Sequence, residues 1–95
     1  MMFSVFWTSK SFEDISNIHH YLSNKISLET ANKIIDEIYQ APNSITFVEQ
    51  FQIDEYRKDC RRIIVRNYKI LYYINDSEIF VIRVFNTLQD PSKSL

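Results

Sequence analysis

Apolar residues return every three or four positions from Phe12 through Ile15, Ile18 and Leu22 to Ile26, which predicts an amphipathic helix from Ser9 to about Lys25. Thr8 precedes it as an N-cap whose hydroxyl can accept a first-turn N–H. A second stripe, Leu28, Ala31, Ile34, Ile35, Ile38 and Ile45, predicts a helix capped by Ser27, with Glu29 near the positive end of its dipole. Pro42 should kink or unwind that helix after Tyr39. The two helices form an antiparallel hairpin. Ahead of them, Phe3 to Trp7 is short, aromatic and β-branched, which predicts a strand.

Beyond about Glu49 the period changes from helical to alternating, and Cys60 to Arg66, Tyr68 to Ile74 and Ile79 to Phe85 read as strands joined by short turns. With Arg66-Asn67 as a two-residue loop, Ile63, Val65, Tyr68, Ile70, Tyr72 and Ile74 share a core face. Arg62, Ile64, Lys69, Leu71 and Tyr73 then share the open face. For the second turn, a three-residue loop Asn75-Asp76-Ser77 places Phe80, Ile82 and Val84 in the core and Arg83 and Phe85 outside. A two-residue loop reverses that parity, and the first is preferred because it does not bury Arg83. The expected architecture is α+β, in the order β-α-α-β-β-β, with the helical hairpin on one face of a small antiparallel sheet.

The chain has 95 residues, enough for one modest core, and residues 1–95 read as a single domain. It contains no glycine, and phosphate-cradling loops need glycine for positive φ and close backbone approach. Nucleotide-binding loops of that kind are therefore excluded. Hydrophobic residues at 45% and charged residues at 24% describe a folded chain and not a disordered one. A single cysteine, Cys60, permits no intrachain disulfide and no multi-cysteine zinc site. No apolar run reaches the roughly 20 residues of a membrane helix, and the apolar N-terminus lacks a basic leader and a cleavage site. A cytoplasmic protein with no membrane partner, no cofactor and no metal is expected.

The net charge of −1 hides a partition. Between Tyr56 and Lys69 six basic residues (Arg57, Lys58, Arg61, Arg62, Arg66 and Lys69) face one acid, Asp59, for a local net of +5. A basic sheet on an acidic remainder suggests an anionic partner, either nucleic acid or an acidic protein segment. The alternative is that the arginines are solvated edge residues that discourage strand pairing.

Three blocks of sequence resemble the ParE/RelE toxin superfamily, and its ParE branch in particular. The first is Trp7-Thr8-x-x-Ser11-x-x-Asp14-Ile15-x-x-Ile18-x-x-Tyr21-Leu22. The second is Tyr56-Arg57-x(4)-Arg62-x-x-Val65-x-Asn67-Tyr68-Lys69-Ile70-Leu71-Tyr72. The third is Ile79-x-x-Ile82-x-Val84-Phe85-Asn86-Thr87-x-Gln89-Asp90-Pro91. Together they span nearly the whole chain in order. The resemblance implies a two-layer RelE/ParE-like fold and a toxin of a type II toxin–antitoxin module, neutralised by a cognate antitoxin with an acidic or amphipathic C-terminal segment. ParE-like members inhibit DNA gyrase, whereas RelE-like members cut ribosome-bound mRNA.

Cleavage of that kind needs cations around the phosphate and groups to move two protons. Nuclease relatives carry Lys or Arg on the middle strands, an Arg just after the last strand and often a C-terminal Tyr or His. Arg62 and Lys69 match the strand positions and are the catalytic candidates if the chain is an RNase. The post-strand position falls on or beside Leu88, and the sequence ends at Leu95 without a terminal Tyr or His. The resemblance thus favours a gyrase-binding toxin over a ribosome-dependent endonuclease, and an inactive relative that only binds antitoxin is a third alternative. ParE relatives also often place His or Arg around Asn86 to Gln89, which this chain does not.

The expected partner-binding set is Arg57, Arg61, Arg62, Arg66, Lys69, Tyr73, Arg83 and Phe85. Tyr73 and Phe85 belong to it as exposed aromatics between cations. Adjacent His19 and His20 point about 100° apart on a helix and cannot chelate as an i, i+4 pair could. Asp14 with Glu13, and Asp36 with Glu37, read as solvated helix faces. The arginines beside Cys60 could lower its pKa, but no base partner is evident.

Overall fold

The structure, a computed structural model, describes residues 2–88. Its elements run β1 (Ser4–Trp7), α1 (Ser9–Lys25), α2 (Leu28–Gln40), a 3₁₀ turn (Ala41–Ser44), β2 (Arg61–Val65), β3 (Tyr68–Asn75) and β4 (Glu78–Asn86). The α+β class and element order agree with the sequence pattern. The expected match to the terminal Asp90-Pro91 lies outside the described residues.

Both helices begin where side-chain oxygen can replace a missing backbone acceptor. Thr8 Oγ1 accepts from Ser11 N at 3.2 Å and Ser27 Oγ from Thr30 N at 3.0 Å. Pro42 ends the α-helical hydrogen-bonding and falls at the start of the 3₁₀ turn, where its missing N–H costs nothing. The two stripes are narrower than their spacing implies. Ile15, Leu22, Ala31, Ile34 and Ile38 are buried, whereas Phe12, Ile26 and Leu28 are exposed, the last two at the hairpin bend.

The sheet has the order β1-β4-β3-β2. It is mixed and not wholly antiparallel, because β1 runs parallel to β4 at one edge. The β2–β3 hairpin has the expected register, with Val65 opposite Tyr68. The positive φ of its turn, 55°, falls on Arg66.

The β3–β4 hairpin corrects the sequence reading. Asn75 pairs with Glu78, so the loop is the two-residue Asp76-Ser77, with Asp76 at φ 56°. Parity is then restored by a bulge: Tyr72 pairs with Val81 but Leu71 with Arg83, leaving Ile82 as the extra residue. Ile79 and Val81, not Phe80 and Ile82, fill the core before the bulge, and Val84 fills it after. Phe80 turns to the other face, where it stacks with Phe6 (5.5 Å) and Tyr73 (5.1 Å). The bulge keeps Arg83 out of the core, and a carboxylate on α1 pairs with its partly exposed guanidinium.

The main core lies between the helices and the sheet, with Trp7 edge-on to Tyr39 at 4.9 Å. Cys60, Leu71 and Phe85 form a second, small cluster with Ile82. Tyr68 to Tyr72 are consequently all buried, which breaks the alternation expected of a one-sided sheet. The connection that makes this happen precedes β2. Its backbone folds back along that strand through Asp54 N to Cys60 O (2.9 Å) and Arg62 N to Gln52 O (3.0 Å).

Tyr72 is fully buried, and its hydroxyl finds no partner among the described residues. Burial pushes its pKa up to about 12. An unpartnered buried hydroxyl costs about 1–3 kcal/mol, so Tyr72→Phe is expected to leave the midpoint of urea unfolding unchanged or raised. A clear fall in the midpoint would show that the hydroxyl is satisfied.

Candidate functional site

Arg62 and Lys69 do come together, on adjacent strands, but they meet around a carboxylate. Asp54, from the connection before β2, has a completely buried side chain. Lys69 Nζ donates to Asp54 Oδ1 at 2.7 Å, and Arg62 Nη1 stands 3.8 Å from the same oxygen. The other oxygen, Oδ2, accepts from the backbone N–H groups of Tyr56 (3.1 Å) and Arg57 (2.8 Å). This turn is the local reason the connection folds as it does: one aspartate caps its own loop and anchors the loop to the sheet.

Burial pushes the Asp54 carboxyl up, but the Lys69 hydrogen bond and the Arg57 and Tyr56 N–H groups outweigh it and hold the carboxyl below its ordinary value. Lys69 is itself buried, with the Tyr56 and Phe85 ring centroids 5.3 and 5.5 Å from its ammonium. Arg62 Nη1 also donates to Ile53 O (3.3 Å), and its Nη2 donates to Gln52 Oε1 (3.1 Å). A hollow of about 280 Å³ overlies the pair, walled by Tyr56, Ile64, Phe85 and Thr87 and by the acid Glu55. Lys69 and Leu71 thus lie on the face that strand alternation assigns them, but that face is covered there and both are buried.

The other expected binding residues are engaged in the same way. Arg57 pairs with Asp59 at 3.2 Å, and Arg61 Nη1 donates to Phe51 O at 2.7 Å. Arg66 forms a fork on Glu37 of α2, at 2.8 and 2.9 Å, which holds the Glu37 carboxyl below its ordinary value. Arg83 forms another on Asp14 of α1, at 2.8 and 3.3 Å. Phe85 is buried, so of the two expected exposed aromatics only Tyr73 is open, at 40%. Within the basic segment, Arg62 and Lys69 share Asp54 and Arg66 meets Glu37, acids drawn from the remainder, whereas Arg57 meets the segment's own Asp59 and Arg61 a backbone carbonyl.

Two residues that carry this arrangement were not legible as site residues. Asp14, expected to be solvated, is buried and also accepts Val84 N at 3.0 Å. Asp54, beside Glu55, lies just ahead of the block that begins at Tyr56 and belongs to no motif of its own. Cys60 differs from expectation too: burial, and then Asp59, push its thiol up to about 11 despite the nearby arginines. With the side chain buried as well, Cys60 is expected to react with Ellman's reagent only as fast as the chain unfolds. Rapid labelling of the native protein would contradict its placement. Leu88, at the post-strand position, is 79% exposed, and its N–H donates to Asn86 Oδ1 at 2.8 Å.

No helix among the described residues is long and apolar enough to cross a membrane. The fold has relatives among solved structures. A protein of the chromosomal ParDE toxin–antitoxin system from P. aeruginosa superposes with a TM-score of 0.77 at 20% identity, over 90% of this chain and 96% of its own. The conserved hypothetical protein HP0894 from Helicobacter pylori gives 0.60 at 17% identity, over 93% and 98%. At these identities the likeness is one of fold. No curated protein sequence matches the chain. The sequence profile of the ParE toxin of type II toxin–antitoxin systems (parDE) matches residues 5–91, nearly the whole length, and the chain belongs to the ParE toxin family.

Proposed function

We propose that the chain is a toxin that acts by binding and not by cutting: it docks on DNA gyrase and is neutralised by a cognate antitoxin. The observation that best supports a binder is the condition of Lys69. A phosphate ligand in an RNase must offer its ammonium to the substrate, and this one is buried at 2.7 Å from Asp54. Releasing it exposes a buried carboxylate that repels RNA. Arg62 is similarly committed to Gln52, Ile53 and Asp54, and an exposed leucine occupies the position where nuclease relatives place a transition-state arginine. Family membership and the likeness to a protein of a ParDE system support the antitoxin as partner.

The nuclease alternative makes a contrary claim about ribosome-bound message. Primer extension on ribosomes programmed with mRNA is expected to reveal no cuts beyond those of a toxin-free control. Codon-specific cuts that disappear in Arg62→Gln would overturn the binder and establish the endonuclease.

A further inference from the structure

The two edges of the sheet are guarded differently. β2 carries Arg61 and Arg62 and is partly covered, because the connection before it bridges Ile53 to Arg61 and accepts the Arg62 N–H at Gln52 O. β1 forms the other edge and has neither protection. From Met1 to Ser9 the sequence holds no charged side chain and no proline, both of which blunt an edge strand. Ser4 N donates to Ser77 O and Thr8 N to Val81 O, so in the parallel ladder Ser4, Phe6 and Thr8 turn their backbone groups toward β4. Phe3, Val5 and Trp7 turn theirs outward, and among the described residues those groups have no backbone partner.

The side chains along this edge are apolar on both faces. Phe3, Val5 and Trp7 pack toward the helices. On the opposite face Phe6 is 45% exposed and continues into the stack with Phe80 and Tyr73, while Met2 is 91% exposed. We propose that β1 pairs antiparallel with β1 of a second copy of this chain, joining the two sheets edge to edge.

Charge and shape select a second copy. A charged segment finds no counter-charge along β1, and a neighbour's β2 is already occupied by its own connection. β1 is also complementary to itself. With Val5 opposite Val5 of the second copy, Phe3 and Trp7 exchange backbone bonds with Trp7 and Phe3 across the seam, and every outward group finds a partner. Ser4 then stands opposite Phe6 of the second copy, small beside large, and Met2 lies diagonal to that ring. A two-fold axis at Val5 closes the pair, so assembly stops at two. A four-residue strand buries less than the roughly 1,200 Å² of a stable interface, so the pairing is reversible and forms at high concentration. The inference does not rest on the toxin reading, and a chain that arrests growth without ever dimerising leaves that reading intact.

Sedimentation equilibrium of the whole chain from micromolar to millimolar concentration tests it. The expected result is a monomer that passes into a dimer and nothing larger. Ser4→Lys alters an exposed side chain and should weaken the association about tenfold or more, because it sets a lysine on each strand of the seam. Directly opposed residues of such a ladder lie about 5.5 Å apart, within reach of a disulfide. Val5→Cys should therefore cross-link into a dimer on oxidation with diamide, whereas Ser4→Cys, diagonal to its copy, should not. Cys60 is buried and does not compete. A chain that stays monomeric at millimolar concentration overturns the proposal and leaves this edge to a strand of another protein. So do oligomers that keep growing past two, a dimer that Ser4→Lys does not weaken, or cross-linking by Ser4→Cys in place of Val5→Cys.

Discussion

Asp54→Ala is expected to cost about 3–5 kcal/mol of folding stability, the largest effect of any single polar substitution in this chain, because it strands the Lys69 ammonium inside the protein. The variant also frees the Tyr56 and Arg57 N–H groups from their acceptor and loosens the connection that covers Cys60, Leu71 and Phe85. For a domain of this size that loss corresponds to a fall in Tm of well over ~10 °C. The penalty belongs to the unpaired charge and not to a net gain from the pair. Asp54→Leu combined with Lys69→Met should therefore recover much of it, since an apolar pair of similar volume is often as stable as a buried ion pair. Calorimetry of the single and double variants reads the difference. A single variant within about 1 kcal/mol of wild type would mean that Lys69 has water within reach.

The same carboxylate gives a pH signature. Its folded pKa lies below the unfolded value of about 3.9, so its contribution is complete above that value and is lost as pH falls through the folded pKa. Wild type should lose stability on acidification in that window. Asp54→Asn should be less stable at neutral pH and flatter below about pH 4. An equally steep acid limb in the variant would assign acid sensitivity to other carboxylates.

The second large effect is expected from Asp14→Ala, at about 2–3 kcal/mol. Asp14 satisfies a buried backbone N–H next to the bulge and orients Arg83, so its removal leaves a donor and a partly buried cation without an acceptor. Asp14→Asn keeps an acceptor oxygen for Val84 N–H and loses only the charge, and should cost roughly half as much. Equilibrium urea unfolding distinguishes the two. Equal costs for Ala and Asn would place the whole effect in the ion pair and none in the edge of β4.

Neither acid is marked by its sequence neighbours. Helix periodicity, the caps at Thr8 and Ser27 and the β2–β3 register were readable because each depends on residues close in sequence. The bulge at Ile82 was not, because a bulge leaves no compositional mark when the extra residue is another isoleucine. Arg83 stays out of the core as the sequence pattern prefers, but by way of the bulge and of a partner that the local sequence does not show. Asp14 lies 69 positions earlier, and only the packing of α1 beside β4 brings the two together. Lys69 failed in the opposite direction. Strand alternation places it on the open face correctly, but that face is closed over it by a connection with no periodic pattern. Charge counting therefore finds the cations but not the buried acids, Asp54 and Asp14, that pair with Lys69 and Arg83.

A supercoiling assay with purified gyrase, relaxed plasmid and increasing amounts of the chain asks whether this ParE family member inhibits by binding. The expected result is inhibition that titrates with the chain and is reversed by the cognate antitoxin. Supercoiling at full rate in the presence of excess folded chain would show that gyrase is not its target.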